Sequence, residues 1–128
     1  KSAEGLVAGL KHASYTAEQG DLDTARTELN SIVADSKAEN IIHVQSLLLL
    51  ISIDEDKNDF DAAIKHADEL IVSVGPELMP RALLTKSQAL FLKKDFPEAK
   101  KVLGKLINDH GTSPEAERAR GLLALIPA

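Results

Sequence analysis

The chain of 128 residues has no cysteine and no tryptophan, one methionine, one tyrosine and three phenylalanines. Without cysteine there are no disulfides, no thiolate metal centres and no cysteine nucleophile, and the redox compartment is left open. With aromatics at 3%, stacking platforms for single-stranded nucleic acid are missing too. Positive charge is also scarce. Lys and Arg number 15 against 20 Asp and Glu, giving a net charge of −5 and a pI near 5.3, which argues against a phosphate-binding surface. No apolar run reaches the roughly 18 residues that a membrane span needs. What abounds is Leu (19) and Ala (17), side chains that suit helices better than strands. The length fits one domain around one core.

Three segments repeat one pattern: Gly20-Asp21-Leu22-Asp23-Thr24-Ala25, Asn58-Asp59-Phe60-Asp61-Ala62-Ala63 and Lys94-Asp95-Phe96-Pro97-Glu98-Ala99. Each runs small or polar, Asp, large apolar, two variable residues, Ala, and the alanines recur at steps of 38 and 36 residues. An apolar residue follows each Ala four positions on, at Leu29, Ala67 and Leu103. The Asp caps a helix start by accepting backbone N–H bonds, the large apolar residue closes the corner, and the Ala lets two helices approach. Each unit therefore reads as a helix, a tight turn and a second helix, and stacking three units buries what one cannot, in one continuous core.

The expected helices run over 3–19, 22–35, 40–57, 60–74, 78–93, 96–109 and 114–126. The run Leu47-Leu48-Leu49-Leu50-Ile51-Ser52-Ile53, apolar on every side, predicts a central helix covered by neighbours. Ser113 followed by Pro114 marks a helix start. The fold class is thus all-α: a single domain over 1–128, with hairpins at 3–35, 40–74 and 78–109 and a C-terminal capping helix at 114–126.

This arrangement resembles the tetratricopeptide repeat family, with spacing slightly above its usual 34 residues and with Asn58 and Lys94 standing where the turn glycine is usual. Two stretches are similar to YfgM-like ancillary subunits of the SecYEG translocon: Ala34-Asp35-Ser36-Lys37-Ala38-Glu39-Asn40 before a long apolar helix, and Lys86-Ser87-Gln88-Ala89-Leu90 ending at Lys94-Asp95. The resemblance implies a tetratricopeptide-like superhelix on the periplasmic side of the bacterial inner membrane, held there by an N-terminal anchor upstream of Lys1. Its implied role is chaperone-like handling of unfolded exported chains, with translocon subunits and a periplasmic chaperone as partners. Membrane contact would come only through that anchor, and no nucleic acid is involved.

Chemistry is hard to place on this sequence. Asp54-Glu55-Asp56-Lys57-Asn58 opens like a calcium loop, but the sixth and twelfth positions are Asp59 and Lys65 rather than the required Gly and Glu. An acidic helix end running into a capped turn is the plainer reading. His12, His43, His66 and His110 show no paired-ligand spacing. There is no nucleophile elbow, phosphate-cradling loop or dinucleotide fingerprint, and the acidic residues are expected on helix ends and exposed faces. The expectation is no catalytic residue, no cofactor and no metal. The lysines at 93, 94, 100, 101 and 105 read as the solvated side of a hairpin, and Lys86 either snorkels to the surface or lines a groove.

Stacked hairpins present their first helices on a concave side, which reads peptides or a partner's helix without chemistry. The repeat register places Val7, Leu10 and Ser14 there, then Gln45, Leu48 and Ser52, then Arg81, Leu84, Gln88 and Phe91. Leu48, Leu84 and Phe91 have an equally simple place between helices, whereas Arg81 and Gln88 are polar on an otherwise apolar helix. A second candidate surface is the face of the first helix carrying Leu6, Leu10 and Ala13, as an end that docks another protein or a second copy. The first reading makes the domain a non-enzymatic interaction module in export. The alternative is a scaffold or adaptor segment of an envelope-assembly or cytosolic complex.

Overall fold

Asp, Asn and Ser caps, prolines at the starts of three helices and a left-handed residue at three of the six connections divide the described residues into seven helices. In a computed structural model that describes residues 2–128 these are α1 (Ala3–Glu18), α2 (Leu22–Asp35), α3 (Ile41–Asp56), α4 (Phe60–Ser73), α5 (Met79–Lys93), α6 (Phe96–Asp109) and α7 (Pro114–Leu125). No strand is present among the described residues. Expected and observed bounds coincide for α2 and α6 and elsewhere differ by one residue at one or both ends, where a cap had been counted into its helix.

All three repeated aspartates cap as expected: Asp21 accepts from Thr24, Asp59 from Ala62 and Asp95 from Glu98. Ser2, Asn40 and Ser113 do the same for α1, α3 and α7. Only α5 starts without a side-chain cap, and it carries Pro80 in its first turn instead. The residue before each repeated Asp is left-handed, with φ of 86° at Gly20, 57° at Asn58 and 68° at Lys94. That turn aims the next amide back at the preceding helix: Asp21 N–H donates to the Thr16 carbonyl at 3.2 Å, Asp59 to Asp54 at 2.8 Å and Asp95 to Leu90 at 2.9 Å. Each corner thus satisfies the carbonyls that the ending helix leaves free.

Consecutive helices pack as antiparallel hairpins, giving three hairpins and a capping helix in a tetratricopeptide-like stack. The repeated alanines, Ala25, Ala63 and Ala99, are fully buried, as are Leu29, Ala67 and Leu103 four residues on. Helix α3 lies at the centre and buries residues around most of its circumference, including His43, Ser46 and Asp54 besides its leucines.

The core departs from the single continuous body expected of the repeat. One cluster runs from α1 to Ala82 and Ala89 on α5, and a second joins Leu83, Leu84 and Leu90 of α5 to α6 and α7. Ile64 and Ile71 of α4 pack against both and form the seam. The division falls along α5, whose opposite sides serve different neighbours. The α1 face of Leu6, Leu10 and Ala13 also differs from expectation. Leu6 and Ala13 are buried in the first cluster and Leu10 packs against it, so this face holds α1 to the stack and is not free for docking.

Candidate functional site

The inner side of the stack is built by α1, α3, α5 and α7. Helices α1 and α3 touch, as do α5 and α7, but α3 and α5 do not close on each other in this way. Between these two lies a concavity of about 450 Å³, with the first turns of α7 along one side. Helical spacing supplies its walls: Leu48, Ile51, Ser52 and Glu55 come from α3, Arg81, Leu84, Thr85 and Gln88 from α5, and Glu115 and Arg118 from α7.

Of the seven residues expected on the concave faces of α3 and α5, five, Leu48, Ser52, Arg81, Leu84 and Gln88, are brought together here, whereas Val7, Leu10 and Ser14 of α1 lie outside this lining. Gln45 is exposed on α3 just before Leu48 and lies outside the lining. Phe91 is turned into the second core cluster, where its ring meets Phe96 edge to face at 5.5 Å. Leu84, at 5% exposure, both packs in the core and forms part of the floor. Sequence reasoning missed Ile51, Glu55, Thr85, Glu115 and Arg118. Glu55 sits seven residues beyond Leu48 and Thr85 four beyond Arg81, so a longer reading of each helical face reaches them. The α7 pair is reached only by treating the capping helix as a wall.

The floor of Leu48, Ile51 and Leu84 is apolar, and the rim carries Ser52, Thr85 and Gln88 with two acids and two arginines. Among the described residues, neither Glu55, Glu115, Arg81 nor Arg118 has an ion-pair partner. Burial holds the Glu55 carboxyl above the usual carboxylate range, and the charges of Asp56 and Asp54 push it further in the same direction. Arg81 stands where the groove narrows into an apolar slot of Val44, Leu70, Val74 and Leu78.

Three lysines elsewhere join helices. Lys57 meets Asp23 at 2.7 Å, Lys86 meets Asp68 at 2.8 Å and Lys93 meets Asp61 at 2.8 Å. Lys86 therefore snorkels to a neighbouring helix and is absent from the groove lining.

A second polar cluster lies inside the stack, where one of the acids expected at a helix end is buried rather than solvated. Asp54, the opening residue of the calcium-loop pattern, is fully buried. Its Oδ2 takes His66 Nδ1 of α4 at 2.7 Å, and its Oδ1 faces Arg26 Nε of α2 at 3.3 Å without a well-aligned hydrogen bond. Arg26 also donates to Asp59 at 3.0 Å, and this bond holds the Asp59 carboxyl below its usual range. The Asp54–His66 pair ties α3 to α4. On the first hairpin, His12 pairs with Glu28. Among the described residues, no group of three or more His, Asp or Glu is arranged to hold a metal ion. Nor is any of their helices long and apolar enough to cross a membrane. In comparison with known proteins, no family model matches the chain and no curated protein matches it.

Proposed function

We propose that the domain is a non-enzymatic protein-interaction module that holds polypeptide segments in the groove between α3, α5 and α7. The observation that carries this reading is the groove itself: an apolar floor under a rim of hydroxyls and an amide, with four charges that have no ion-pair partner among the described residues. Such a lining binds main chain and side chains without reacting with them. With so little area, single segments bind weakly and leave readily, which suits transient holding of a client. The resemblance to tetratricopeptide repeats and YfgM-like proteins supports a setting on the periplasmic side of the inner membrane. There the domain would be tethered by an N-terminal helix and would assist export beside translocon subunits and a periplasmic chaperone.

The experiment is site-specific photo-cross-linking in intact membranes, with the probe at Thr85 in the groove or at Lys101 on the far side of α6. Thr85 is expected to capture translocon subunits, a periplasmic chaperone or exported chains, and Lys101 none of these. Recovery of cytosolic partners alone would sink the export role, and equal capture from both positions would sink the groove.

One observation favours the alternative of a scaffold that assembles through its ends. The outer face of α1 exposes Ala3, Val7 and Ala8 at the open end of the stack. On that reading a probe at Val7 captures one folded partner and the Thr85 probe captures nothing.

A further inference from the structure

Where α3 and α5 face the groove they place one positive and one negative charge at different points along its length, and α7 adds Glu115 and Arg118 at its side. Arg81 lies beside Leu48, at the end shared with the narrow apolar slot. Glu55 lies about two turns, or roughly 10 Å, further along α3. Neither Arg81 nor Arg118 is among the charges that act on Glu55; those are Asp54 and Asp56. Glu55 therefore sits half-buried beside two other carboxylates, one of them fully buried, with no cation against it. Between the two ends the floor is apolar, and Ser52 and Gln88 offer a hydroxyl and an amide along the rim, while the Thr85 hydroxyl donates to the Arg81 carbonyl at 2.8 Å and can only accept from a ligand. An extended segment brings free main-chain N–H and C=O groups for them to meet, which a helix does not.

We infer that the groove takes an extended segment of a partner polypeptide in which an acidic and a basic side chain flank apolar residues, the acid set against Arg81 and the base against Glu55. An extended chain advances about 3.3 Å per residue, so the two charges fall three or four positions apart with small or apolar residues between them. The inference rests on the groove being the binding site, and it adds the chemistry of what binds. The base replaces water around the partly buried Glu55 and the acid replaces water around the exposed Arg81, neither of which has an ion-pair partner of its own among the described residues, and charge complementarity there yields selectivity.

The test is fluorescence anisotropy with labelled peptides of one length that differ only at the two flanking positions: acid and base, two acids, two bases, or two glutamines. The whole domain is used, as wild type, Glu55→Gln, Glu55→Lys and Arg81→Gln, each checked for unchanged helical circular dichroism and a cooperative melt. For wild type the acid-and-base peptide is expected to bind about tenfold more tightly than the two-acid peptide, with the gap narrowing as salt is raised. Glu55→Lys should reverse that order, Glu55→Gln should level it, and Arg81→Gln should level the difference between the acid-and-base and two-base peptides. If the glutamine peptide binds wild type as tightly as the acid-and-base one, or if Glu55→Lys leaves the order unchanged, the charge assignment is wrong while the groove remains a binding site. If wild type binds no peptide at millimolar concentration, the groove reading fails and the inference falls with it. Glu55→Gln exchanges one carboxylate oxygen for an amide, so its fold is expected to survive.

Discussion

At the scale of single residues, the corners decide how sharply each hairpin closes. The positions of Gly20, Asn58 and Lys94 all have positive φ, which glycine adopts freely, asparagine tolerates and lysine resists. Lys94 thus holds a conformation that costs about 1 kcal/mol relative to glycine, and the surrounding caps and carbonyl bonds enforce it. Lys94→Gly is expected to stabilise the domain by about 0.5 kcal/mol, after the extra freedom glycine gives the unfolded chain is counted. Asn58→Gly should gain less. Urea titration at unchanged m-value measures both, and a lowered midpoint for Lys94→Gly would show that its side chain contributes more than its backbone costs. The corners were legible in the sequence because three aligned segments place Asp, an apolar residue and Ala at fixed offsets, and each offset has a mechanical role. The left-handed turn at Lys94 was implied only by its alignment with Gly20, since nothing in a lysine announces it.

At the scale of elements, α2, α3 and α4 are tied by polar contacts as well as by packing. Asp54 reaches back to Arg26 and forward to His66, and Arg26 continues to Asp59 at the α4 cap. Removing one partner of a buried ionic group leaves the other uncompensated, and that outweighs whatever the intact pair adds. Arg26→Met is therefore expected to cost about 1–3 kcal/mol at neutral pH, less than the full penalty because Arg26 is partly exposed. The Asp59 carboxyl, held below its ordinary value of 3.8 chiefly by the Arg26 bond, gives the effect a pH signature. A depressed carboxylate contributes stability that is complete above the unfolded pKa and fades as pH falls through the folded one. The gap between wild type and Arg26→Met should accordingly narrow below about pH 4; a gap constant from pH 7 to pH 3 would exclude the Arg26–Asp59 bond as a contributor. Composition could not show that one of three consecutive acids turns inward. Periodicity could have, because Asp54 lies seven residues after Leu47 and four after Leu50, on the stripe that both bury. A polar residue on an apolar stripe signals an internal partner, but the sequence does not say on which helix that partner lies.

At the scale of the whole molecule, the groove and the divided core share one origin. Helix α5 turns Ala82 and Ala89 to the first cluster and Leu83, Leu84 and Leu90 to the second. It packs on α4 and α6, and α3 is left without a close neighbour on that side. The space between α3 and α5 becomes the groove, whose floor residue Leu84 belongs to the second cluster while Leu48 and Ile51 belong with the first. This is why the site was only half legible: helical spacing gives the face of each helix, but the distance between α3 and α5 depends on how two cores meet, and the α7 wall depends on where the last hairpin ends. A stack in which each hairpin touches only its neighbours also opens unevenly. Leu103 is fully buried at the centre of the second cluster, and Leu103→Ala is expected to cost about 2–4 kcal/mol. Because Ile64 and Ile71 are the seam between the clusters, most of that loss should stay on one side of it. Native-state hydrogen exchange of the variant should show faster opening of α6 and α7 than of α1 to α3, and the acid-and-base peptide should bind more weakly because Leu84 loses its support. Uniform acceleration across all seven helices would mean that the two clusters unfold as one, and that the groove is as rigid as the core beneath it.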